Sequence, residues 1–430
     1  MDRYKLGGWH VKISMFHFMP HRDLPDDFEK RYRSAYVDVP WSELGDSAMI
    51  GRYYNWGVDE LVFAAEAGLD GICTNEHHQN VYGLMPNPNL IGSILARATN
   101  HLDCAIVQLG CSLPLTAPPV RIAEEYAMLD CISGGRLVAG MPIGIAMDAN
   151  MNYGIPPIEQ RDRYYEAHDL IVQAWTRDDI FAFNGNYTQL PYVNVWPKPI
   201  QKPYPPIWIP GAGSSSTWKF AADNDYAYQF LSYYGWLNSK AMMDGFWDFV
   251  ETSGHDANPF RAGFLQLVVV SETDEQAQKD YEQHIRYFYN KLQHLPPHDL
   301  FPPGHQDFVS LERGVRNGLT ESIAAQHETV KYMSYGDLVE QQFVIAGSPA
   351  TVRDQLREAA TQLRVGNLMV LLHIGSMPHE LTLKNIDLFA REVQPYLTDL
   401  WEDEWENKWW PERLRSRGEH ETTGTVAPAN

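Results

Sequence analysis

The chain has 430 residues and is short of several things. Cysteine is scarce, with four residues and no CxxC spacing. That excludes a disulfide-built fold and leaves Cys73, Cys104, Cys111 and Cys131 as core thiols of a reducing compartment. Positive charge is also short: 34 Lys and Arg stand against 55 Asp and Glu, a formal net charge of −21. Nucleic acids and anionic membrane surfaces recruit basic patches, so neither is expected as a partner. No apolar run approaches the roughly 20 residues that span a bilayer. The opening MDRYKLGGWHVKISMF lacks an apolar core of roughly 7–15 residues before a cleavage site, so the expectation is a cytoplasmic protein.

Several catalytic signatures are missing too. There is no HxH or HExxH pattern, and Glu76, His77 and His78 are consecutive. Successive strand residues point to opposite faces, so these three would not easily grip one ion, and no metal is expected. No GxSxG elbow implies a serine nucleophile. GxGxxG is absent as well, since Gly211-Ala212-Gly213 continues into serines.

What is present is an alternation of short apolar strands with helices. Strands are expected at His10–Phe18, 71–73, 104–113, 136–140, 206–209, 226–231, 264–270 and 367–373. Helices fill the gaps between them, at 55–67, 90–99, after Pro118-Pro119, across RDRYYEAHDLIVQAW, and at 351–363 and 383–397. Ile122, Tyr126, Leu129 and Ile132 are expected on one helix face. Asn184-Gly185-Asn186-Tyr187 signals a hairpin. This pattern points to an α/β fold, a parallel sheet closed as a (β/α)8 TIM barrel. Two stretches exceed the repeat: a loop at 22–54, read as a lid or else a surface insertion, and a cap segment at 281–342. Residues 1–400 are taken as one barrel domain with insertions. Residues 401–430 form a C-terminal extension whose end reads as disordered. Its tryptophans at 401, 405, 409 and 410 have helical spacing, which suits docking on the barrel or on a second subunit.

Two places carry candidate chemistry. The second strand breaks off into Asn75-Glu76-His77-His78, and the C-terminal ends of parallel strands are where ligands sit. Imidazole exchanges protons near neutral pH, so His77 or His78 suits acid–base work, although a bond to a neighbouring loop would equally explain His78. After the fifth strand, Gly213-Ser214-Ser215-Ser216-Thr217 runs into a helix. Its N–H groups, hydroxyls and dipole suit a phosphate monoester, and they equally suit plain helix capping. Gly140 and Gly144 bracket a turn where backbone could approach a ligand.

The order NEHH, TAPPVRIAEEYAMLDCISGGR, RYYEAHDLIVQAW, NGNYTQL, PKPIQKPYPPIWIPGAGSSSTWKFAA and GSPATV resembles the bacterial-luciferase-like flavin-dependent monooxygenase family. The likeness covers about residues 9–231 and 343–397. It implies a (β/α)8 barrel and a two-component oxygenase that uses reduced FMN and O2, by way of a C4a-(hydro)peroxide, to oxygenate a small organic substrate. A separate NAD(P)H:flavin reductase would supply the reduced FMN. Relatives on this fold use the deazaflavin F420 to move hydride, and a flavin-binding subunit without turnover is a further alternative. The resemblance makes His77 the active-site histidine, between Glu76 and His78. It sets Gly110-Cys111-Ser112 beside the flavin ring, where the family often has a strained peptide, and makes residues 213–217 the phosphate loop. His17, Phe18 and Tyr233 are expected to shape the substrate pocket. Arg121, Glu124, Asp130 and Arg136 read as structural ion pairs. Pro142 and Ile143 depart from a cysteine and arginine that some members carry. A homodimer or homotetramer is implied.

Overall fold

The computed structural model describes residues 10–300, 302, 304–305, 312, 329–401 and 405–415. The apolar runs form strands β1 Lys12–Phe16, β2 Gly71–Thr74, β3 Ala105–Gln108, β4 Leu137–Gly140, β5 Phe181–Asn184 and β6 Gln189–Val193. They continue as β7 Ile207–Gly211, β8 Ala227–Phe230, β9 Ala262–Val270, β10 Val344–Gly347 and β11 Asn367–Leu371. Every residue of β1, β2, β3, β4 and β9 is buried. A strand apolar on both faces needs helices outside it and a filled interior, which is what a closed parallel sheet supplies.

Closure is visible in the register. β1 pairs with β2 (Ser14↔Gly71) and with β11 (Lys12↔Asn367), while β9 pairs with both β8 (Tyr228↔Ala262) and β11 (Gly263↔Asn367). With β3, β4 and β7 between them, eight parallel strands make the expected (β/α)8 barrel. β5 and β6 form the antiparallel hairpin expected at 184–187. β10, just past the cap segment and not expected as a strand, pairs with the far half of β9 (Leu267↔Val344). β9 is nine residues long, so it outruns its barrel partners and leaves an edge for that extra strand.

Local differences have local causes. The helix expected at 55–67 begins at Ser47, where the Asp46 carboxylate accepts the N–H groups of Ala48 and Met49. The lid is therefore shorter than 22–54. Within the expected cap, residues up to Tyr287 belong to an ordinary barrel helix, Asp274–Tyr287. Most of the cap between 301 and 328, and the tail beyond 415, lie outside the described residues. Ile132 is 41% exposed, unlike Ile122, Tyr126 and Leu129 on the same helix. Arg136 is fully buried and donates to the carbonyls of Ser133, Cys104 and Ala96 and to the Thr99 hydroxyl. It is a hydrogen-bonding rivet for backbone carbonyls, where an ion pair had been expected. Asp130 likewise takes the backbone and side-chain N–H groups of Gln201.

The tryptophans of the extension are not helical. Among described residues 401–415 the regular element is a single turn, Glu412–Leu414. Of the two docking partners left open, the chain's own barrel receives them. Trp410, 1% exposed, lies 5.8 Å from the Trp208 ring and beneath Gly71, while the Trp208 indole donates to the Trp409 carbonyl. They close the floor of the barrel. Among the described residues no helix is long and apolar enough to cross a membrane.

Candidate active site

At the opposite mouth, β2 ends at Thr74 and the chain leaves the sheet before Glu76. Once out of the strand, the side chains are freed from strict alternation, and a carboxylate gathers them. Asp148, 2% exposed, lies after β4 in a π-helical stretch, Met147–Asn152. Its Oδ2 accepts from His77 Nδ1 at 2.8 Å and its Oδ1 accepts from the His78 backbone N–H at 3.0 Å. Because Nδ1 donates to a carboxylate, the other nitrogen of a neutral His77, Nε2, is left as an acceptor. That nitrogen has no protein partner among the described residues. His78 is turned elsewhere: Nε2 donates to Glu76 Oε1 at 3.0 Å, and Nδ1 meets the Tyr153 hydroxyl at 3.0 Å. The second Glu76 oxygen accepts the Ser112 N–H. Glu76, His77, His78 and Ser112 are thus one hydrogen-bonded group, with His77 as the member holding an open nitrogen.

The end of β3 runs directly under this group. A Cβ on Gly110 would lie 2.9 Å from both Asn75 C and Glu76 N, so only glycine lets the two backbones pass. Cys111 follows in the left-handed region at φ +67°, which is the local backbone strain here. Its thiol faces inward, taking an N–H from Asn89, and burial pushes it well above the ordinary thiol range. Gly140, expected to meet a ligand, instead makes room for β3: a Cβ there would sit 2.1 Å from the Gln108 carbonyl oxygen.

Rings wall the other side of His77. Phe18 lies 6.3 Å from the His77 ring, 4.8 Å from Tyr82, 5.6 Å from Tyr233 and 6.2 Å from Phe288. Tyr36, from the lid, stacks on Tyr82 at 4.3 Å. The lid is held in place from both sides, by Val81 N–H on the Ala35 carbonyl and by Ala35 N–H on the His294 carbonyl. Between a lid and a surface insertion, the first description fits.

His17 is not part of that wall. It is fully buried, takes the Met19 N–H on Nδ1, and donates from Nε2 to Glu60 at 2.6 Å. Glu60 also receives both terminal nitrogens of Arg22 and Nδ1 of His379. Burial opposes charge on Glu60, yet the hydrogen bonds from His17 and His379 outweigh it and hold the carboxyl well below its usual range. Burial also lowers the pKa of His17, against the opposite pull of Glu60. The group ties β1, the lid and two helices together.

The loop after β7 joins the same mouth of the barrel. Gly213, at φ +101°, donates its N–H to the Tyr228 hydroxyl, and Ser214 and Ser216 share a hydrogen bond at 2.8 Å. Ser214 precedes helix Ser215–Asp223, whose first turn carries Ser215, Ser216 and the largely buried Thr217. The Ser214 side chain makes no capping bond to that helix; its hydroxyl meets that of Ser216 instead.

Two clefts lie away from this mouth. One of about 550 Å3 runs beside Asp162, Glu166 and Tyr187, and one of about 260 Å3 beside Pro205, Asp225 and Trp409. In the first, Glu166 is already spent on the hairpin N–H groups of Asn186, Tyr187 and Thr188. The second adjoins the barrel floor. Among the described residues, no group of three or more His, Cys, Asp or Glu could hold a metal ion.

Comparison with known proteins bears on this arrangement. The model of the luciferase-like monooxygenase family matches residues 47–365, most of the barrel and the loops after β2, β3, β4 and β7, while the β1 end, the lid at Tyr36 and His379 lie outside the match. The chain belongs to the luciferase-like monooxygenase family. One relative is the oxygenase component of a flavin-dependent trigonelline monooxygenase from Acinetobacter baylyi, 32% identical over 195 residues, covering 43% of this chain and 51% of that protein. The chain spans about half the length of the curated relatives it matches. Among solved structures, the FMN-bound oxygenating constituent of 3,6-diketocamphane monooxygenase from Pseudomonas putida superposes with a TM-score of 0.67 at 19% identity, over 90% of this chain and 98% of that one. An F420-dependent secondary alcohol dehydrogenase superposes at 0.62 and 15% identity, over 91% and 100%. These likenesses establish the shared barrel. Within this luciferase-like chain, sequence reasoning had missed Asp148, Tyr36 and Tyr82. Asp148 and Tyr82 carry no local motif, whereas Tyr36 sits in the stretch already read as a lid.

Proposed function

We propose that this luciferase-like chain is the oxygenase of a two-component system that takes reduced FMN and O2 and oxygenates a small organic substrate. The observation that carries the reading is His77, with Nδ1 fixed on Asp148 and Nε2 open beside a wall of rings. A histidine oriented through one nitrogen can accept or return a proton at the other without turning. Phe18 and Tyr82 flank the His77 ring and Phe288 backs Phe18, an apolar wall of the kind that protects a reactive species from hydrolysis.

The residues fit a flavin mononucleotide. Gly213–Thr217 offer hydroxyls and a helix start to a phosphate, and the buried Asn75 Oδ1, without a protein partner, offers an acceptor at the end of β2. Reduced flavin, when bound, supplies the electrons that activate O2. The FMN complex of the structural neighbour and the flavin dependence of the Acinetobacter relative support this cofactor. That relative's designation as an oxygenase component supports a separate reductase. Leu90, Ile94, Met128 and Ile132, exposed on two adjacent helices, support assembly as a homodimer or homotetramer.

The test is anaerobic titration with photoreduced FMN followed by rapid mixing with oxygenated buffer. Binding, followed by a long-lived absorbing species and oxygenated product, is expected. Binding of reduced F420 with hydride transfer and no use of O2 would replace this reading with the deazaflavin one. Binding of FMN without any reaction would leave a carrier subunit.

A further inference from the structure

We propose that Gln160 is a positioning residue for His77, holding the loop after β4 so that Asp148 keeps the imidazole in one tautomer. The inference rests on the reading of His77 as the proton-handling residue of the site. Gln160 lies in the first turns of helix Pro157–Thr176 and is 1% exposed. Its amide nitrogen donates to the carbonyls of Ile143 at 2.9 Å and Gly144 at 3.2 Å. Its oxygen accepts from the Asn150 amide at 3.1 Å and from His305 Nδ1 at 3.0 Å. Two donated and two accepted bonds use the whole capacity of a side-chain amide, so the side chain is held from four directions.

What those four bonds hold is the support of Asp148. Asp148 sits in the π-helical stretch Met147–Asn152, a rare conformation that its surroundings must maintain. Ile143 and Gly144 are the way into that stretch and Asn150 is part of it, so Gln160 clasps both. Asn150 passes the contact on, since its amide also donates to the Ile155 carbonyl at 2.8 Å on the way out. The entry is confined on the other side as well: Gly144 stands at φ +87°, and a Cβ there would lie 3.0 Å from Ser112 Oγ and 3.8 Å from Gln160 Nε2. The loop is thus pressed between the β3 end and Gln160. The tautomer of His77 is set by the bond its Nδ1 makes to Asp148, so a π-helical stretch that drifts releases that choice. A glutamine that served only to satisfy buried carbonyls would change stability and leave the imidazole as it was.

The test reads the His77 tautomer from imidazole 15N shifts in histidine-labelled protein, at a pH above the imidazole range, with His77→Gln assigning the resonances. In the wild type Nδ1 is expected to carry the proton and Nε2 to be bare. Gln160→Met keeps the volume and removes the amide, and the Nε2-protonated form is expected to rise to about half of the population. A wild-type His77 already split between tautomers would overturn the proposal. So would a His77 still wholly Nδ1-protonated in Gln160→Met, including the case where only the melting temperature falls. Should that variant not fold, Asn150→Ala cuts the same line at its next residue and decides by the same criterion. The readout needs neither flavin nor O2, so failure of the positioning role is told apart from failure of the oxygenase reading.

Discussion

His77 and Asp148, 71 positions apart in sequence, share a 2.8 Å hydrogen bond across the mouth of the barrel. The same carboxylate holds the His78 main chain, so one side chain sets both the place and the tautomer of the histidine beside it.

Asp148→Asn should therefore act through His77. An amide can donate where the carboxylate accepted, which lets the imidazole turn or take the other tautomer. Oxygenation is expected to slow by about 10²-fold, with a changed pH–rate profile and little change in flavin affinity. His77→Ala should lose a similar factor. Stopped-flow rates for both variants check this, and an unchanged rate in either removes the dyad from the chemistry.

Ser214→Ala combined with Thr217→Ala should weaken FMN about tenfold and riboflavin hardly at all. The loop meets only the phosphate in this reading, and riboflavin lacks it. Parallel titrations give the answer; equal losses would put the phosphate elsewhere.

Glu60→Ala should cost about 3–5 kcal/mol, because it strands the largely buried Arg22 guanidinium and the His17 ring together. Hydrogen exchange should rise across the lid, which Arg22 anchors. Chemical denaturation measures the first effect and exchange mass spectrometry the second.

His284 predicts an acid limb. Burial lowers its pKa from 6.5 to about 4. The unfolded chain then takes up the proton more readily than the folded one, so the stability this site contributes is present above 6.5 and lost as pH falls towards 4. At 1.36 kcal/mol per pH unit the loss is about 3 kcal/mol. His284→Gln should flatten the stability profile between pH 6.5 and 4 in urea denaturation.

Sequence alone carried the barrel well, because each strand is a short apolar run bounded by a breaker. Gly134, for example, ends its helix at φ +68° as its position predicts. It carried less of the site. Glu76, His77 and His78 announce themselves as ionisable residues at a strand end, but Asp148 lies in a short π-helical stretch with no pattern of its own. Glu60 sits on the buried face of an amphipathic helix, where a charge is legible only once its three partners are in place. His17 was expected in the pocket because it ends β1. The structure spends it on Glu60, a choice that depends on contacts 43 residues away.

The closure of the barrel has a bearing on how the chain is made. Lys12 finds its strand partner at Asn367, and the floor beneath Gly71 is sealed by Trp410. β1 leaves the ribosome long before residue 367 and its partner strand have been synthesised. Until then β1 presents an open edge, and such edges pair with whatever strand is nearest. Fragments ending before residue 367 are therefore expected to aggregate, and the nascent chain needs shelter until that strand emerges.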